Sequence, residues 1–76
     1  MQMFTHNGFD IRLTETSGQQ PSVQINIYNP NNAGHSYCAF AQTEQGASLE
    51  ETFTGMTAGG FIDMLISKAQ LAFDNT

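Results

Sequence analysis

The sequence predicts an α+β fold, with a four-stranded antiparallel sheet followed by a short helix and a longer C-terminal amphipathic helix packed on one face. Three observations predict it. Apolar and polar residues alternate through the first half of the chain, clusters of turn-forming residues interrupt that alternation, and apolar residues recur at helical spacing from residue 48 onward. Antiparallel strands with one apolar face bury that face and leave the other to solvent or a partner.

The first two strands are predicted from Asn7-Gly8, which separates two alternating runs. Asparagine followed by glycine favours a type I′ hairpin turn, because both central residues of that turn need a positive φ. In a two-residue loop His6 faces Phe9 across the hairpin. The side chains predicted to face inward are Gln2, Phe4, His6, Phe9, Ile11 and Leu13. Those predicted to face outward are Met3, Thr5, Asp10 and Arg12.

Two more strands are predicted beyond a turn at 17–21. The third covers 22–28, and a dense cluster of turn residues at 29–34 separates it from the fourth, at 36–42. In the third strand Val23, Ile25 and Ile27 face inward, and Ser22, Gln24, Asn26 and Tyr28 face outward. The alternation of the fourth strand is ambiguous. We interpret Cys38 and Phe40 as inward, which leaves Tyr37, Ala39 and Ala41 outward.

Two helices are predicted after residue 47. Ser48 and Glu51 have the spacing of a capping box, which marks the start of the first helix, and Gly55 is a candidate for its end. The second helix is predicted to begin at Thr57 or Gly59 and to run to about Phe73. Its apolar stripe is wide, which is typical of a helix that lies on a sheet.

Length and composition favour a binding protein over an enzyme. A chain of 76 residues predicts one domain, 1–76, with too little material for a deep closed pocket. Arg12 and Lys68 are the basic residues, against seven acidic ones, and the net charge is −5. Direct nucleic-acid binding is therefore not expected. Acidity of this kind suits a basic partner, or simply keeps a small protein in solution.

The compartment is expected to be the cytoplasm of a host cell. Cys38 is the single cysteine, so no internal disulfide is possible and a reducing environment is favoured. Residues 1–20 show no signal-peptide pattern, and no run of 18 or more apolar residues predicts a membrane span.

Candidate chemical groups are few. His6 and His35 lack a metal-ligand spacing, so no metal site is expected. Cys38 with either histidine is a possible thiol nucleophile, but an inward mid-strand cysteine is more often an inert apolar residue. Residues 55–60 are glycine-rich, yet the Lys and Ser/Thr of a phosphate-binding loop do not follow. We therefore expect no catalytic residues and no cofactor.

The outward face of the sheet is the candidate protein-binding site. Tyrosine and arginine are enriched at binding hot spots because they bury a large area and keep a polar end. The candidate residues are Tyr28, Tyr37, Arg12, Asn26 and Gln24. The alternative is that outward tyrosines are ordinary strand formers.

Two segments resemble a known family. Residues 49–56 (LEETFTGM), continuing through Gly59-Gly60 into an amphipathic helix, resemble the C-terminal part of small phage anti-CRISPR proteins of type I-F. Residues 25–29 (INIYN) are similar to a strand of that family that ends in a tyrosine and a polar turn. In the family this tyrosine contacts the repeated backbone subunit of the crRNA-guided surveillance complex, so the resemblance implies a binding role for Tyr28.

The resemblance implies a phage-encoded inhibitor that binds a CRISPR–Cas surveillance complex and blocks target DNA binding. The alternative is a non-catalytic phage or plasmid accessory module, monomer or homodimer. Such a module would self-associate through a strand edge or the apolar helix, or would bind another host protein. A small enzyme or metal protein is a third, weaker hypothesis.

Overall fold

The computed structural model describes residues 1–16 and 20–75. Its strands are β1 (Gln2–His6), β2 (Phe9–Glu15), β3 (Ser22–Asn29) and β4 (Asn32–Gln42), and its helices are α1 (Leu49–Ala58) and α2 (Phe61–Asp74). The strands form one antiparallel sheet in the order β1-β2-β3-β4. The predicted α+β fold class is confirmed. Most of the turn predicted at 17–21 lies outside the described residues.

The first hairpin forms as its sequence predicts. Asn7 and Gly8 have φ angles of 51° and 82°, and His6 pairs with Phe9 on either side of them. Phe4 then pairs with Ile11, and Gln2 with Leu13. The alternation of the strands and the positive φ values of the turn therefore specify the same register.

The core lies between the sheet and α2. The inward residues of β2 and β3 alternate with outward ones, and α2 supplies the buried stripe that covers them. The buried apolar side chains are Phe9, Ile11, Leu13, Val23, Ile25, Ile27, Ile62, Leu65, Ile66 and Ala69. Burial of this apolar area is the main stabilising term for a domain of this size, at about 25 cal/mol per Å².

Side chains of β1 and of the turn after it contact both helices. The rings of Phe4 and Phe53 stack with centroids 4.3 Å apart and an interplanar angle of 5°. His6 Nε2 lies 2.8 Å from Asp63 Oδ1, and the Asn7 side-chain amide donates to the same oxygen at 3.2 Å. Both helices are thus held on the face that carries the core.

The joint between the helices corrects two predicted boundaries. The Ser48 cap is confirmed, since its hydroxyl accepts a hydrogen bond from the Glu51 amide at 3.1 Å. Gly55, however, does not end α1, which continues to Ala58. The prediction that α2 begins at Thr57 or Gly59 is also wrong. The chain reverses at Gly60, whose φ of 81° favours glycine, and α2 begins immediately after it.

Strand β4 corrects a third prediction. It begins at Asn32 rather than at residue 36, and its inward and outward residues are exchanged relative to the prediction. The inward residues are Tyr37, Ala39 and Ala41, which pair with Ile27, Ile25 and Val23. Cys38 and Phe40, predicted inward, face outward.

An irregularity next to the β3–β4 turn causes this exchange. Asn29 pairs with Asn32, but the next β3 residue, Tyr28, pairs with Ser36. Residues 33–35 therefore lie in β4 without counterparts in β3. Because their number is odd, they invert which side chains face the core. Regular pairing from Asn29 and Asn32 onward would have placed Cys38 and Phe40 inside.

Candidate protein-binding face

The candidate site is the face of the sheet opposite the helices, here called the open face. It is built by the alternate residues of all four strands that point away from the core. Its side chains are Met3, Thr5, Asp10, Arg12, Thr14, Ser22, Gln24, Asn26, Tyr28, Ser36, Cys38, Phe40 and Gln42. Since a pleated sheet alternates its side chains, the packing of the inward set against α2 also fixes the direction of this outward set.

One end of the open face is organised around Arg12 and Tyr28. The Arg12 guanidinium carbon lies 4.9 Å from the centroid of the Tyr28 ring, a cation–π distance. Both side chains are half-buried, and with Met3 and Asp10 they line a depression that extends to the β3–β4 turn. Within the described residues, the buried Nε of Arg12 has no hydrogen-bond acceptor.

The other end of the open face is apolar at its edge. Phe40 is 66% exposed, although it lies in the middle of a strand. It pairs with Gln24, whose side-chain amide donates to the sulfur of Cys38 at 3.2 Å. Phe40 thus presents an apolar ring to solvent among polar neighbours.

The structure places four of the five predicted site residues together. Tyr28, Arg12, Asn26 and Gln24 lie on the open face, and Asn26 pairs directly with Arg12. Tyr37 does not belong to this group. It pairs with Ile27 and packs against the core on the opposite face of the sheet. Its predicted outward position is wrong because of the extra residues at 33–35.

Sequence reasoning missed Phe40 and Cys38 as open-face residues. The available signal was the length of the cluster at 29–34, since six consecutive turn-forming residues are more than a two-residue hairpin loop needs. An excess of that kind indicates a bulge, and a bulge with an odd number of residues moves Phe40 to the outside.

The open face carries no net charge, and most of the acidic residues lie on the helices. Of its described side chains, only Asp10 and Arg12 are charged. The helices, in contrast, carry four acidic residues and one lysine. These are Glu50, Glu51, Asp63, Asp74 and Lys68. The surface on the helix side is thus the acidic one, and the open face offers aromatic and amide groups.

The His, Cys, Asp and Glu side chains of the described residues form no metal-binding group on this face. Across residues 1–16 and 20–75, no cluster of three or more His, Cys, Asp or Glu side chains could hold a metal ion. His6 pairs with Asp63 on the helix side, and Cys38 is an exposed free thiol, not the buried residue that was predicted. Among the described residues no helix is long and apolar enough to cross a membrane.

No family model, curated protein or solved structure significantly matches the chain.

Proposed function

We propose that the protein is a non-catalytic, phage-encoded inhibitor. Its open face docks on a subunit of a CRISPR–Cas surveillance complex and thereby blocks target DNA binding. The observation that carries the proposal is the Arg12–Tyr28 pair on the sheet face that the helices leave uncovered. Inhibition of this kind is stoichiometric, since the protein occupies a surface and transforms nothing.

The chemistry of the open face suits a protein partner. The cation–π contact fixes Arg12 and Tyr28 in one arrangement before binding, which lowers the entropy cost of association. Exposed Phe40 adds apolar area at the far end of the same face.

The choice of partner rests on the resemblance and is supported by charge. The resemblance assigns a partner contact to Tyr28, and Tyr28 lies on the open face rather than in the core. Surveillance complexes handle nucleic acid and are expected to carry basic surface for it. A chain of net charge −5 is attracted to such a surface.

Co-elution of the tagged protein with purified type I surveillance complexes in size-exclusion chromatography tests the proposal. We expect co-elution together with loss of target DNA binding by the complex. Tyr28→Ala and Phe40→Ser are each expected to weaken binding by about tenfold or more, the usual effect of truncating a hot-spot side chain.

The helix side of the chain offers matched controls. Leu71 is 65% exposed, almost the same as Phe40, so Leu71→Ser removes a similar apolar side chain away from the open face. Arg12→Ala should also weaken binding, and Lys68→Ala, which removes a positive charge from α2, is its control. Both controls should bind like the unmodified protein. Absence of co-elution with every complex would overturn the proposed partner, and equal losses in controls and open-face variants would exclude the open face.

A further inference from the structure

Strand β4 forms a long outer edge of the sheet. It has 11 residues, against five in β1 at the opposite edge, and no described strand lies beyond it. An edge strand presents backbone N–H and C=O groups that are free to pair with another strand. The bulge at 33–35 disturbs the start of β4, so its regular part is Ser36–Gln42.

Beyond the bulge at 33–35, this edge lacks the charged residues and proline that protect edge strands against pairing. Proteins commonly block edge strands with lysine, other charges or proline. The sequence of β4 is NAGHSYCAFAQ, which contains no Asp, Glu, Lys, Arg or Pro. In a chain with seven acidic residues, an edge strand without charged side chains lets two copies approach with little repulsion.

We propose that two copies of this chain pair antiparallel along Ser36–Gln42, about a two-fold axis at Ala39. Ala39 is the middle residue of the regular segment, so this register pairs the segment along its whole length. A two-fold axis perpendicular to the sheet makes the contact self-complementary and keeps the side chains of both copies on matching faces.

The side chains fit this register. On the open face, Phe40 of each copy lies opposite Cys38 of the other. On the core side, Tyr37 lies opposite Ala41. Each aromatic ring thus faces a small residue, and the exposed ring of Phe40 gains a covering neighbour. Ala39 faces itself at the axis, where a larger residue would crowd its own copy.

The position of the nearest acidic side chain also favours a second copy of this chain as the strand that pairs with β4. Glu44 is the acidic residue nearest to β4 along the chain, and the antiparallel register carries it past the end of the paired segment of the other copy. The resulting sheet has eight strands, with both open faces on the same side. The inference stands independently of the proposed inhibitor function, because it concerns the protein alone.

Sedimentation equilibrium over a wide range of concentration tests the pairing. The contact is small, so we expect a reversible dimer of the 8.3 kDa chain with micromolar affinity. Cys38→Lys places a charge beside Phe40 of the second copy and should weaken dimerisation by about tenfold or more. Thr5→Lys adds the same charge to the open face at the β1 edge and should leave the dimer intact.

A thiol cross-link tests the register separately. Phe40→Cys sets an introduced thiol opposite the native Cys38 of the other copy, within the Cα separation that a disulfide needs. Treatment with diamide should therefore trap a covalent dimer. Gln42→Cys, which moves the thiol two residues along the strand and opposite Ser36, should cross-link far less.

The sedimentation and cross-linking results together show whether two copies pair through β4. Dimerisation that Cys38→Lys weakens, with preferential cross-linking through Phe40→Cys, supports the proposal. A monomer at every concentration overturns it. A dimer that responds equally to both lysine variants, or to neither, places the contact away from β4. Circular dichroism of each variant shows whether it has kept its fold.

Discussion

At the scale of single residues, two glycines of the helical half have opposite conformational requirements. Gly55 lies inside α1 and an added methyl group would meet nothing within 4 Å. Gly60 also has open space, but its φ of 81° is a conformation that residues with a side chain rarely adopt. Both positions therefore have room for an added methyl group, but only at Gly60 would that group strain the backbone.

This difference predicts opposite effects of the same substitution. Gly55→Ala should raise the free energy of unfolding by about 0.5–1 kcal/mol, since alanine loses less entropy in a helix. Gly60→Ala should lower it by about 1–2 kcal/mol, the cost of a left-handed residue with a Cβ. Urea denaturation measures both. Stabilisation by Gly60→Ala would contradict the left-handed conformation of Gly60 between α1 and α2.

The tyrosines show which residue-level features the sequence predicts. Tyr28 is predicted outward and lies outward, because its strand alternates without interruption from a clear apolar pattern. Tyr37 carries an equally plausible side chain for a binding site but lies on the core side. The face of the sheet on which Tyr37 lies depends on how β3 pairs with β4 several residues away. The identities of Tyr37 and its sequence neighbours therefore do not determine that face.

At the scale of elements, the start of α1 is the clearest local signal. The Ser48 hydroxyl accepts from the Glu51 amide and donates to the Glu51 carboxylate, at 3.1 Å in both cases. Glu50 and Glu51 also place negative charge at the positive end of the helix dipole. These contacts lie near the surface, so their loss is not masked by repacking of the core.

The cap gives a prediction for α1. Ser48→Ala should lower the free energy of unfolding by about 1 kcal/mol, because a helix amide loses its side-chain acceptor. Ser48→Thr is the matched control, since its hydroxyl can both accept from the Glu51 amide and donate to the Glu51 carboxylate, and it should retain most of the stability. Denaturant midpoints of the three proteins provide the measurement. An equal loss in both variants would show that the hydroxyl of Ser48 does not act as the cap.

Elements whose signals are local could be predicted, and those that depend on long-range pairing could not. The Asn7-Gly8 turn, the alternation of β2 and β3, and the Ser48 cap each determine structure within a few residues. The phase of β4 depends on how β3 meets it beyond a bulge. The open face was therefore predicted in its Arg12–Tyr28 part and missed at Phe40, which belongs to β4.

At the scale of the whole molecule, the separation of charge from the aromatic surface predicts how binding depends on salt. Long-range attraction mainly raises the association rate, whereas side chains buried in the contact mainly control dissociation. Neutralising exposed acids outside the open face, with Glu44→Gln and Asp74→Asn, should slow association with a basic partner at low salt. The dissociation rate should remain unchanged.

The kinetic control is a variant of the open face. Tyr28→Ala should accelerate dissociation and leave the salt dependence of association as it is. Surface plasmon resonance at low and high ionic strength separates the two effects, since screening removes attraction beyond about 10 Å at 0.1 M salt. Faster dissociation on neutralisation of the acids would show that the acidic side is itself the contact surface.

The bulge at 33–35 sets a rule for how this chain can change in length during evolution. With three unpaired residues kept in the bulge, removing or inserting one residue between Asn29 and Ser36 would turn Phe40 toward the core and Tyr37 toward solvent. A change of two residues would preserve both positions. Insertions and deletions that keep the bulge are therefore constrained by whether their length is odd or even, so an alignment of diverged descendants should show gaps of even length here.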